Sequence, residues 1–345
     1  MGFVLAVLII SFLVNSSTII PFINLLYKLK FKRQPQVTID ALNRPTPIFD
    51  AYHSQKAGIP IGGGFLLILT TTLLFLLTFP VLYFFWIPIT SIYANIIVEI
   101  KILLFTFISF GLIGLYDDIK KIFFGKKEHF FGLKLRHKLI LEIIISLLIS
   151  FWLFNELKIS IINIPFFGVW QVGVFYVIFS TFVIISFANA FNITDGLDGL
   201  ATGVLLICLI AFWVISNSIL DTPLTLFIAI WLGGLIAFLY FNIYPARIFL
   251  GDVGALSFGA TLSVIGLLLG KSFSLIIIGG IFVLEILTSL IQLLSKKYTG
   301  KKIMRVAPLH LWLQEKGWHE STIVFRAWLA TLVLAMIGLW LAFIS

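Results

Sequence analysis

Five aspartates pose the first question about this chain. Asp117 and Asp118 are adjacent at the end of an apolar run and precede Ile119-Lys120-Lys121; Asp195 and Asp198 stand in the stretch Asn189 to Ala201; Asp252 follows Gly251 and precedes Val253-Gly254. All five sit at or beside the ends of apolar segments, where a charge that entered the membrane would cost about 2.5 to 3.5 kcal/mol on insertion scales. Their placement therefore needs a reason. Two adjacent carboxylates beside lysines suit a divalent cation and a phosphate, because hard oxygen ligands bind Mg²⁺ and ammonium groups hold the anion. The plainer alternative for that pair is helical ion pairing of Asp117 with Lys120 and Lys121 at i+3 and i+4, about 0.2 to 0.5 kcal/mol each.

In the second stretch polar groups recur every third residue, at Asn189, Asn192, Asp195 and Asp198, which predicts one drifting helical face. Gly196 and Gly199 add freedom at the expected break between two helices. A capped turn, with Asp198 as the N-cap of the helix from Gly199, explains one of the four polar residues. In Asn242 to Gly254, Asp252 reads as an N-cap among packing glycines, or as a metal-binding carboxylate at a helix N-terminus suited to phosphate. Lys56 lies between His53 and the triplet Gly62-Gly63-Gly64. That triplet reads as packing or turn residues rather than a phosphate cradle, and it is no Walker motif. His310, in the last basic loop, reads from its position alone as a solvated histidine, as do His129, His137 and His319; no zinc-type spacing occurs. Glu285, deep in an apolar run, has no obvious partner in sequence.

The elements that must carry these residues are membrane helices. The chain has 345 residues, 60% hydrophobic and 11% charged, against roughly a quarter charged in an ordinary soluble domain. That excludes a soluble globular protein, a disordered chain and a disulfide scaffold. The single cysteine, Cys208, cannot pair within the chain and reads as a small hydrophobe. Apolar runs of about 20 residues, the length that crosses a ~30 Å hydrocarbon core, begin near Phe3, Ile59, Ile96, Leu139, Val172, Leu200, Pro223, Ile248, Phe273 and Thr322. The expected fold is all-α and polytopic, about ten transmembrane helices in a single domain over 1–345.

Charge tests that count. The connections 28–58, 116–138, around Arg247 and 296–321 hold six, seven, one and six Lys/Arg, so 20 of the 24 fall on one side. The positive-inside rule then places both termini outside and the basic loops in the cytoplasm. The net charge of +9, which in a soluble protein would suggest nucleic acid, is mostly topology, and no nucleic-acid partner is expected; the basic loops could also attract anionic membrane lipid or a polyphosphate. Ten of the 15 acidic residues lie on the same basic face, which is where chemistry is expected. The N-terminus lacks a basic n-region and a small-residue cleavage site, which predicts that the first helix is retained. No internal repeat is visible, which weakens an inverted-repeat transporter.

Together the segments resemble the polyprenyl-phosphate N-acetylhexosamine-1-phosphate transferase superfamily, of glycosyltransferase 4 type, and within it the bacterial phospho-N-acetylmuramoyl-pentapeptide transferase branch. The residues that carry the resemblance are His53 to Gly63, Tyr116-Asp117-Asp118, Gly132-Leu133 with Arg136-His137-Lys138, Asn189 to Ala201, and Phe249 to Gly254. The branch rests on Thr299 to Lys302, Arg305 to His310, Lys316-Gly317-Trp318 and Arg326-Ala327-Trp328. The resemblance implies a Mg²⁺-dependent enzyme of the bacterial cytoplasmic membrane. It would join the sugar phosphate of UDP-N-acetylmuramoyl-pentapeptide to undecaprenyl phosphate at the cytoplasmic face and release UMP; a homodimer is plausible for the family.

By the same resemblance Asp252 would hold Mg²⁺, and Asp117 and Asp118 would bind or activate the lipid phosphate. Lys56, Asn192, Asp195, Asp198, Asn242 and Phe249 would line the nucleoside pocket, Lys138 would lie on the phosphate side, and His310 near the catalytic centre. The chain departs from the family pattern at His310-Leu311-Trp312, where a triple histidine is usual, at Gln314 for a glutamate, at Ala255 for a serine, and at Ile59 and Ile61 for two threonines. Direct attack by the lipid phosphate is the expected route, with a covalent aspartyl-phosphate route as its alternative. The rival readings are transfer of N-acetylglucosamine-1-phosphate to the same lipid, and a cation-coupled transporter using Asp117, Asp195, Asp198 and Asp252 as an ion path.

Overall fold

The structure, a computed structural model, describes residues 1–34, 50, 52, 56–124, 133 and 135–344; His53 and His129 lie outside the described residues. Its long helices are α1 (Gly2–Lys28), α2 (Gly63–Phe84), α3 (Ile96–Ile119, continued by a π-turn Lys120–Phe124), α4 (Leu135–Asn155), α5 (Phe175–Thr194), α6 (Leu200–Ser218), α7 (Thr222–Asn242) and α8 (Gly251–Leu268). The short α9 (Ser272–Ile278), α10 (Gly280–Tyr298), the short α11 (Leu309–Glu315) and α12 (Glu320–Ile344) complete the set. Among the described residues α1 to α8 and α12 are long and apolar enough to cross a membrane. The chain is a multi-pass membrane protein. The ten-helix expectation is met when α9 and α10 count as one span, and there the expectation needs correction: that span is broken, bent by 79°. Gly279 and Gly280 supply the break, and Cβ atoms there would come within 2.7 Å of the Phe187 ring and 2.9 Å of Leu334.

Apolar residues surround α7 and α8, so both are buried on nearly every side, whereas α1 and α12 turn most of their surface outward. Phe107, Phe227, Trp231 and Phe258 form the aromatic centre, with the Phe107–Trp231 and Trp231–Phe258 ring centroids 5.2 and 5.1 Å apart. Two close crossings fix α8 against its neighbours. A Cβ at Gly64 would lie 2.2 Å from Gly254 Cα, and one at Gly114 would lie 2.0 Å from the Asp252 carbonyl oxygen. Only glycine lets α2 and α3 approach α8 this closely, and these crossings set the position of Asp252.

The two ends of the bundle differ. At one end Met1, Leu82, Ile87 and Asp221 surround a small cavity, where Asp221 caps α7 by accepting the Leu224 N–H at 3.1 Å. The connection between α4 and α5 forms an antiparallel hairpin at that end, β1 (Ile161–Ile164) on β2 (Gly168–Gln171). The helix ends at the other side carry the carboxylates.

Candidate active site

Asp117 and Asp118 occupy the last turn of α3, and Asp252 is the second residue of α8. Gly251 precedes it at φ 77°. A Cβ there would meet Asp118 Oδ2 at 2.5 Å, so glycine is what lets the start of α8 lie against Asp118. The N-cap reading of Asp252 does not hold, since Leu250 is the N-cap. Its carboxylate goes to two ammonium groups instead: Lys121 Nζ at 2.8 Å and Lys138 Nζ at 2.7 Å, both on Oδ2. The same two lysines reach Asp117 Oδ2 at 3.1 and 3.3 Å, and Leu133 N–H donates to Asp117 Oδ1 at 2.7 Å. Asp118 Oδ2 accepts the Val253 N–H at 3.1 Å. Three carboxylates and two ammonium groups thus form one buried cluster. The expected Asp117–Lys121 helical pair is present, but as part of a network across three helices. Lys121 belongs to this site, and the sequence had shown it only as a neighbour of Asp117, not as a partner of Asp252.

The second side of the site is built by the turn after α5. That helix ends at Thr194, so the polar period expected as a helical face breaks at Asp195, and Gly199 at φ 76° starts α6. Asp198 does not cap α6. It takes the Lys56 ammonium at 2.6 Å on Oδ1 and the Ala246 N–H at 2.9 Å on Oδ2. Lys56 also reaches Glu320 Oε1 at 2.6 Å, which in turn accepts the Asp198 N–H. Glu320, at the start of α12, was missed in sequence because it looks like a solvated loop acid. Lys56 and Asp198 therefore hold the loop that carries Phe249, whose ring lies 5.8 Å from Lys56 Nζ and 5.4 Å from the Arg33 guanidinium. Asn242 is buried and fully engaged, accepting from Thr202 at 2.8 Å and donating to the Ile248 carbonyl at 2.9 Å. It shapes the chain leading to Phe249 and is not among the residues that line the cavity described next.

A cavity of about 390 Å³ opens between these two sides, lined by Arg33, Asp118, Lys121, Asn192, Asp195, Phe249, Asp252 and His310 among others. That is within the range of small-molecule sites. Burial pushes the Asp195 carboxyl up to about 8, with the nearby Arg33 opposing the rise. Burial likewise lowers Arg33 below its ordinary value, against the pull of Asp195.

His310 is not a solvated loop residue. It is 1% exposed at the start of α11, and a Cβ at Gly196 would meet its Nε2 at 2.5 Å. Its other face meets Glu285, the acid for which sequence offered no partner: Nδ1 lies 3.0 Å from Glu285 Oε2. On the far side of Lys138, Glu142 accepts from Asn189 Nδ2 at 2.6 Å, so Asn189 supports the helix pair α4–α5.

The donor set is all oxygen, which fits a hard cation such as Mg²⁺ and not zinc. Among the described residues no group of three or more His, Cys, Asp or Glu is spaced to enclose a metal ion. Mg²⁺ commonly takes one or two carboxylates and completes its shell with substrate phosphates and water, so the cluster fits a cation that arrives with a phosphate substrate. The carboxylates also gather at one end of the bundle, whereas an ion path belongs near the midplane.

The family profile of glycosyl transferase family 4 matches residues 100–270. The chain is 36% identical over 288 residues to the phospho-N-acetylmuramoyl-pentapeptide-transferase of Clostridium novyi (strain NT), covering 83% of each chain. It is 38% identical over 291 residues to that of Clostridium kluyveri (strain ATCC 8527), covering 83% of this chain and 86% of the relative. To that of Borrelia turicatae (strain 91E135) it is 37% identical over 305 residues, covering 83% and 82%. The chain belongs to the phospho-N-acetylmuramoyl-pentapeptide-transferase family. Residues 100–270 run from α3 to the end of α8 and so include Asp117, Asp118, Asp195 and Asp252. His310, which lines the cavity, and Lys56, Glu285 and Glu320, which brace it, lie beyond that match.

Proposed function

We propose that the chain transfers phospho-N-acetylmuramoyl-pentapeptide from its UDP conjugate to undecaprenyl phosphate, with release of UMP, at the cytoplasmic face of the bacterial inner membrane. The observation that carries this reading is the joining of two kinds of wall in one cavity. One wall is Asp118, Asp252 and Lys121, with Asp117 and Lys138 ion-paired behind it; the other is Phe249, Asn192, Asp195 and Arg33. The first suits reacting phosphates and the second a nucleoside.

The reaction brings two anions together. A phosphate monoester with a second pKa near 6 is mostly a dianion at neutral pH, so its oxygen attacks the sugar-linked phosphorus with little help from a base. A P–O bond to the lipid phosphate forms, and the bond from that phosphorus to the bridging oxygen breaks; UMP carries the electron pair away. Lys121 and Lys138 screen the repulsion and hold charge on the leaving phosphate, an electrostatic role of the kind that dominates such transfers. Asp117 and Asp118 orient the lipid phosphate. Asp252 would hold Mg²⁺, which supplies positive charge to the phosphate oxygens when bound.

The test is UMP release by the purified protein in nanodiscs with undecaprenyl phosphate and either UDP-N-acetylmuramoyl-pentapeptide or UDP-N-acetylglucosamine, with Mg²⁺ or with a chelator. Release with the first donor alone, lost in chelator, supports the proposal. Release with the second donor alone would assign the chain to N-acetylglucosamine-1-phosphate transfer.

A further inference from the structure

We infer that the β1–β2 hairpin is a membrane anchor, seated in the lipid interface at the end of the bundle opposite the carboxylates. Its surface is the first reason. From Ile159 to Thr194 the chain carries no Asp, Glu, Lys or Arg. Phe166 and Phe167 at the tip are 70% and 76% exposed, and Val169 and Trp170, on opposite faces of β2, are 60% and 56% exposed. A two-stranded hairpin is marginal at best in water, and a contiguous exposed apolar patch marks a contact surface. Here both faces of the second strand await a cover.

Depth decides what the cover is. The Phe166 ring centroid lies 5.9 Å from that of Trp340, near the end of the spanning helix α12. Twenty residues separate Trp340 from Glu320, about 30 Å along a helix axis, which is the thickness of the hydrocarbon core. With Glu320 bound to Lys56 at the carboxylate end, Trp340 falls at the opposite boundary, and the hairpin tip falls with it. At that same end of the bundle Tyr83 and Trp86 stack at 6.3 Å where α2 stops. Aromatic rings at one level are what a bilayer interface selects, because one end of such a side chain is apolar and the other polar. The exposed Lys158 stands three residues before β1, and Lys101 and Glu156 are paired at 2.9 Å; the two strands and the turn between them carry no charge, so the tip itself offers nothing to a charged protein partner. The fitting partner of the tip is the boundary between headgroups and acyl chains.

The experiment places a cysteine at the tip, Phe167→Cys, and labels it with an environment-sensitive fluorophore in the full-length protein. The native thiol Cys208 is fully buried, and the unmodified protein serves as the labelling control. The labelled protein is placed in nanodiscs of phosphatidylethanolamine and phosphatidylglycerol. Lys301→Cys, at an exposed position of the basic loop, is the aqueous reference. The expected result is emission shifted to the blue of the reference, strong quenching by lipid carrying a shallow nitroxide, and several-fold weaker quenching by iodide. Iodide quenching equal to the reference, with none by the nitroxide lipid, would overturn the inference. Protection from both quenchers would also overturn it, by showing that a second copy of the chain covers the hairpin.

Discussion

Glu285 holds His310 by two groups at once: its Oε2 lies 3.0 Å from the ring Nδ1, and its Oε1 accepts the His310 backbone N–H at 3.2 Å. The carboxylate reaches back from α10, beyond the 79° bend. A carboxylate on Nδ1 fixes that nitrogen as the donor and leaves Nε2 facing the cavity beside Gly196. Glu285 is thus a positioning residue, acting through His310.

Glu285→Gln should therefore lower kcat by about 10- to 100-fold, the usual cost of losing such a supporting carboxylate, while leaving KM for the UDP-linked donor nearly unchanged. Nitrogen NMR of labelled histidine should show mixed tautomers for His310 in the variant. A fall in thermal stability with unchanged kcat per folded enzyme would mean that Glu285 only holds α10 to α11.

Lys121 and Lys138 share the same two carboxylates, so losing either leaves one ammonium behind. Lys138→Gln should destabilise by less than the about 3 to 5 kcal/mol of a wholly uncompensated buried charge, and the double substitution should cost more than the sum of the singles. Lys138, whose side chain is 10% exposed against 22% for Lys121, should be the costlier single loss. Thermal unfolding of the three variants in one detergent checks the order.

The Asp195 carboxyl, pushed up to about 8 by burial, binds a proton in the folded state that the unfolded chain loses near pH 3.9. The stability this contributes is fully present at low pH and is lost as pH rises through the window from about 4 to 8. Unfolding temperatures should fall across that window and fall less steeply in Asp195→Asn. Donor KM should rise above pH 8, where a new negative charge meets an anionic substrate, and that rise should be absent from the variant.

Gly114→Ala drives a methyl group into the Asp252 carbonyl, 2.0 Å away. Neither helix backbone can yield cheaply, so the substitution should cost more than the about 1 to 3 kcal/mol of ordinary overpacking and should abolish activity by displacing Asp252. Gly2→Ala, with nothing within 4 Å of the added atom, is the neutral control. Equal unfolding temperatures for the two variants would contradict the close α3–α8 crossing.

The spans were legible because each is a run of apolar residues long enough to cross a bilayer, and the site's end of the bundle because its loops are basic. The break between α9 and α10 was not. Ile276 to Ile281 is apolar throughout, and two glycines inside such a run read as helix packing. Glu285 had no visible partner for the same reason, since only the bend brings it to His310, 25 residues away. Arg33 was hidden among basic residues that the orientation signal already explained, and Glu320 among solvated loop acids; Lys121 was legible beside Asp117 but not as a partner of Asp252. The aspartates stood out, because an acid at the end of an apolar helix has few structural excuses. Asn242 was legible as special but not as a buried support, which depends on Thr202 forty residues earlier.

Whether the cluster carries the transfer is decided by the turnover of UDP-N-acetylmuramoyl-pentapeptide with undecaprenyl phosphate by Asp252→Asn, beside the native chain in the same nanodiscs, with folding checked by thermal unfolding. Asp252 carries both ammonium groups of the cluster and is the proposed cation ligand. A folded Asp252→Asn should lose at least about 100-fold in UMP release, the scale of removing one preorganised electrostatic group. Native turnover in Asp252→Asn would contradict it.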